Sequence, residues 1–93
     1  MDVLNILKAH EKEIKKKFGV RNIGIFGSYA RGEEKETSDV DVLVEFEEPT
    51  FRNFMGLVFF LEDLFGREVD LVTTKGMSPH IRPHVEKEVI WSG

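Results

Sequence analysis

Leu4, Leu7, Ile14 and Phe18 recur at helical spacing, Glu11 stands four residues before Lys15, and Gly19 can end the segment, so the pattern predicts a first helix over about residues 2 to 18. The period then changes. Asn22 to Phe26 is short, partly β-branched and closed by Gly27-Ser28, which reads as a strand ending in a tight turn. Arg31 to Ser38 is almost wholly polar and predicts a solvated loop or short helical turn. From there Val40, Val42, Val44 and Phe46 alternate with Asp39, Asp41, Leu43 and Glu45, so a second strand sets its valines on one face and its two aspartates on the other.

After Pro49, Thr50 can cap a helix whose Phe51, Phe54, Leu57, Val58, Leu61 and Phe65 make a wide apolar stripe ended by Gly66. Glu68 to Thr73 alternates again, with Val69 and Leu71 on one side and Asp70 and Val72 on the other, so Asp70 can share a face with Asp39 and Asp41. In the tail, Ser78-Pro79 signals a helix start, and Ile81, Val85, Val89 and Ile90 suggest a last helix with Pro83 near its beginning. The order α, β, β, α, β, α predicts an α+β fold: a small mixed β-sheet with helices packed on its valine face and the three aspartates lining the uncovered one.

Composition narrows the chemistry. Ninety-three residues, 41% of them hydrophobic with eight phenylalanines, suit one small folded domain over residues 1–93. Without cysteine there is neither a disulfide framework nor a thiolate metal site, and a reducing cytoplasm is the expected compartment. No apolar run approaches the ~20 residues of a membrane span, and the start of the chain lacks the basic and apolar regions of an export signal. A net charge of −4 gives no general attraction to nucleic acid; the one basic cluster, Lys15-Lys16-Lys17 with Arg21, sits at a helix end, where cations favour the macrodipole.

The aspartates carry the strongest chemical signal. On a strand, Asp39 and Asp41 lie ~6.6 Å apart at their Cα atoms and can converge on shared cations. Two like charges ~4 Å apart repel by about 4 kcal/mol at an effective dielectric of about 20, so the pair must bind a cation or take up a proton. Magnesium answers this best, because it takes oxygen ligands and commonly combines one or two carboxylates with substrate phosphates. Two such ions can lower the pKa of an attacking hydroxyl and steady a leaving pyrophosphate, with Asp70 as a further ligand and proton acceptor. Opposite, the backbone N–H groups around Gly27 and Ser28 can approach phosphates closely, and Arg31 can add a bidentate contact. Singly, each part has an ordinary reading as a turn, a solvated face or a surface charge. Together they suit metal-dependent transfer of a nucleotide group.

Gly27-Ser28-Tyr29-Ala30-Arg31-Gly32 followed by Ser38-Asp39-Val40-Asp41-Val42-Leu43-Val44 resembles the signature of the minimal nucleotidyltransferase (MNT) proteins of the DNA polymerase β superfamily, with Asp70 matching the third carboxylate on a later strand. The resemblance implies the polymerase β-like nucleotidyltransferase fold, a magnesium-dependent enzyme, Asp39, Asp41 and Asp70 as metal ligands, Asp70 as base, and Gly27 and Ser28 holding the triphosphate of ATP. It further implies an antitoxin that transfers AMP to a tyrosine of a HEPN-domain RNase toxin.

Two other classes compete. The chain could neutralise its partner by association alone, since Phe51, Phe54, Met55, Val58, Phe59 and Phe60 exceed what one helix face normally buries, although core packing is the commoner explanation. It could instead modify a small molecule or RNA, which the missing acceptor domain and the acidic balance disfavour. His80 and His84 form an i,i+4 pair with no third ligand, Glu45, Glu47 and Glu48 read as a solvated patch, and Trp91 is expected to pack the last helix onto the body.

Overall fold

The computed structural model describes residues 2–92, with Met1 and Gly93 outside the described residues. In order it has helices α1 (Val3–Ala9) and α2 (Glu11–Phe18), strand β1 (Val20–Phe26), a helical turn α3 (Ser28–Arg31), β2 (Val40–Phe46), α4 (Phe51–Phe65), β3 (Val69–Thr73), α5 (Arg82–Glu88) and β4 (Ile90–Trp91). The sheet runs β3-β2-β1-β4; β1 is antiparallel to both β2 and β4, and β2 is parallel to β3. This is the small mixed α+β sheet expected from the alternation.

Its core lies on the valine face. Val40, Val42 and Val44 are fully buried against Leu7 of α1, Ile14 of α2 and Leu57 and Leu61 of α4. Each such side chain contributes about 1.5–3 kcal/mol on burial. Helix α4 begins and ends where the sequence indicates: the Thr50 hydroxyl accepts from the Asn53 N–H at 3.1 Å, and Gly66 takes the left-handed conformation at φ 64°.

Three local features differ from expectation. The first helix is two helices, because the turn at His10 tightens so that its N–H bonds the Leu7 carbonyl at 3.1 Å. The apolar spacing continues in phase across that break and cannot reveal it. The face opposite the valines is not left wholly open: α5 lies over it, and Leu43, Met77 and Val85 form a second small core there. Finally, Ile90 does not extend the last helix. Ile90 and Trp91 instead pair with Ile25 and Gly24 along the outer edge of β1, whose N–H and C=O groups would otherwise be unpaired, and Gly24 permits the approach, since a Cβ there would sit 2.6 Å from the Ile90 carbonyl oxygen. Trp91 is thus an edge-strand residue, 39% exposed, rather than a wedge under a helix.

Candidate active site

The site is assembled by strand register. Phe26, the last residue of β1, stands opposite Asp41 of β2, so the Gly27-Ser28 turn leaves the sheet directly beside that carboxylate. On the other side Asp41 is the register partner of Asp70 in the parallel β2/β3 pair. Asp39 lies two residues earlier on the same alternation, just before β2, where the Val40 N–H bonds the Glu68 carbonyl at 3.0 Å. Parity therefore brings all three acids to one end of one face, at the edge of the small core under α5.

The turn is fitted to Asp41. Gly27 has φ 72° and ψ −150°, a conformation open only to glycine, and a Cβ on it would collide with the Asp41 carboxylate. Its carbonyl accepts the Ala30 and Arg31 N–H groups, both at 3.1 Å, which winds residues 28–31 into their single turn and brings Arg31 back toward the acids. Burial, the like charges of Asp70, Asp39 and Glu88, and only partial relief from Arg31 push the half-buried Asp41 up from the ordinary carboxylate range to about 6. Asp39 and Asp70 are exposed.

The structure adds one residue that the pattern of the sequence does not single out. Glu88, the last residue of α5, accepts the Gly27 N–H on Oε1 at 2.9 Å and Arg31 Nη1 on Oε2 at 3.0 Å. An acid on a polar helix face carries no sequence signal of such a role, because the contact crosses 61 residues of chain. The turn thus already holds an anion. On the opposite rim Arg67 donates to the Glu36 carbonyl and borders, with Ser38 and Asp39, an open depression of about 340 Å³.

Among the described residues no three Asp, Glu or His side chains close on a metal by themselves. The donor set nonetheless suits magnesium, which takes hard oxygen ligands and would relieve the repulsion among the acids that raises Asp41. The histidine pair gathers no further ligand; His80 lies in the turn before α5, and both His80 and His84 are exposed. Lys15 pairs with Glu11 at 2.7 Å in α2, and Arg21 with Glu47 at 3.5 Å, as ordinary surface charges do.

Fold and site together define a nucleotidyltransferase. The family described as the nucleotidyltransferase domain matches residues 7–92, and the chain belongs to it. Among its relatives is the protein adenylyltransferase MntA of Thermococcus cleftensis, 50% identical over 91 residues, covering 97% of this chain and 92% of that protein. A solved minimal nucleotidyltransferase superposes with a TM-score of 0.77 at 38% identity over 94% of this chain and 93% of the other. The MNT antitoxin solved in complex with a tri-AMPylated HEPN toxin of Shewanella oneidensis shares the fold, with a TM-score of 0.69 over 97% of this chain and 71% of that one, at 17% identity. Among the described residues no helix is long and apolar enough to cross a membrane.

Proposed function

We propose that this chain transfers AMP from ATP to a tyrosine hydroxyl of a HEPN-domain toxin, as a magnesium-dependent antitoxin working in the cytoplasm. The observation that carries the reading is the meeting of Asp41, Asp70 and Asp39 beside a glycine turn that already binds an anion. The adenylyltransferase relative supports the AMP group, and the MNT–HEPN complex supports the acceptor class.

In this reading Gly27, Ser28 and Arg31 hold the polyphosphate, and Asp39, Asp41 and Asp70 hold the cations. Bound magnesium would supply positive charge against the leaving pyrophosphate and acidify the acceptor hydroxyl. The tyrosine oxygen forms a bond to the α-phosphorus, the bond from that phosphorus to the bridging oxygen breaks, pyrophosphate departs with the electron pair, and the phenolic proton passes to Asp70. The test is incubation with labelled ATP, magnesium and the cognate HEPN protein. Label on a partner tyrosine, lost with Asp39→Asn, is expected; undiminished label in that variant would remove the assignment.

Neutralisation by association alone is a second reading, favoured by Phe51 and Phe59, which are 80% and 62% exposed and lie in line with Met55 on α4. Partner inhibition that survives Asp41→Ala would support it.

A further inference from the structure

Glu88 uses both of the donors that a polyphosphate would need most. Its carboxylate takes the Gly27 N–H at 2.9 Å and Arg31 Nη1 at 3.0 Å, with one oxygen on each. A backbone N–H serves one strong anionic acceptor at a time, and a carboxylate next to entering phosphate oxygens adds like-charge repulsion in a half-buried setting. Glu88 and a phosphate group therefore cannot occupy this turn together.

We propose that Glu88 is an internal competitor for the polyphosphate, a side chain that fills the Gly27–Arg31 cradle and must swing out before nucleotide can bind. The inference rests on the nucleotide reading above and adds a regulated step to that site. Release asks little of the fold. Glu88 is the last residue of α5 and its side chain is 29% exposed, so rotation about its own bonds can carry the carboxylate to solvent. The helix itself stays anchored on both sides of that residue, by Val85 against Leu43 and Met77 and by the β4 pairing of Trp91 with Gly24. With the carboxylate in place, Arg31 is held near Asp41 and the turn keeps a partner; the apparent affinity for nucleotide is lowered by the fraction of molecules in that closed state.

The experiment is calorimetric titration of the full chain with ATP in excess magnesium, for wild type, Glu88→Gln and Glu88→Ala. The isosteric glutamine can still accept the Gly27 N–H but has lost its charge, so affinity should rise in the order wild type, Glu88→Gln, Glu88→Ala, with the alanine variant about tenfold tighter. A second readout needs neither metal nor catalysis: without ligand, the Gly27 amide proton should move upfield in the Glu88→Ala spectrum relative to wild type, while the remaining amide signals report an intact fold. Equal or weaker ATP binding in both variants would overturn the competitor and make Glu88 a support for Arg31. An unmoved Gly27 amide would overturn it too. Failure of wild type and both variants alike to bind ATP would sink the nucleotide reading itself, and this inference with it.

Discussion

The Asp41 carboxylate fills the space that a side chain on residue 27 would need. Glycine at position 27 is thus the condition for this turn and a half-buried acid to touch, and the φ of 72° adds a second reason that no other residue suits.

Gly27→Ala is accordingly expected to cost about 1–3 kcal/mol of stability through backbone strain, and more if Asp41 cannot move aside. Urea unfolding measures the first effect, and ATP titration should reveal a larger loss of binding than of stability. A stable variant with unchanged nucleotide binding would separate the turn from the site.

The three aspartates should differ in their effects. Asp39→Asn and Asp41→Asn should bring AMP transfer to background, because both remove charge from the proposed cation cradle. Asp70→Asn removes the proton acceptor together with the third cation ligand and should slow transfer by at least the roughly 10²–10⁴-fold that the lost acceptor alone is worth. Single-turnover assays at saturating nucleotide distinguish a slow chemical step from failed binding.

Asp41 also predicts a pH dependence. Its pKa is about 6 in the fold against 3.8 as the ordinary value, raised first by burial and then by Asp70, Asp39 and Glu88. Below about pH 4 the group is protonated whether folded or unfolded and makes no difference. Between about 4 and 6 the folded chain holds more protons than the unfolded one, so its contribution to stability falls as pH rises through that window. Without divalent cations, Asp41→Asn should therefore be more stable than wild type at pH 7, with the gap shrinking toward pH 4. Paired urea titrations at the two pH values check it; a gap independent of pH would mean that folding leaves Asp41 at its ordinary carboxylate value.

On α4, two substitutions separate packing from recognition. Leu61→Ala, at a fully buried position, should cost about 2–5 kcal/mol. Phe59→Ser, at an exposed one, should leave stability within about 0.5 kcal/mol but weaken capture of a protein partner roughly tenfold or more. Partner affinity unmoved by Phe59→Ser would make the exposed strip irrelevant to docking.

Local order told much of this structure. The alternation of Val40, Val42 and Val44 with Asp39, Asp41 and Leu43 is a property of neighbouring residues, and it defined the second strand, its buried face and its acidic face; Thr50 and Gly66 bounded α4 for the same reason, since caps act within a turn of chain. The parity of Asp70 carried it to the same face as Asp41 without reference to the rest of the molecule. Tertiary structure decided what distant segments share. That β2 and β3 run parallel with Asp41 beside Asp70, that the end of the chain forms a strand on the edge of β1, and that Glu88 reaches Gly27 all depend on which edge and which cradle remained unpaired once the core had closed. Periodicity reads out which way a side chain points along its own element, whereas pairing between elements is settled by the competition of all backbone and charged groups for partners.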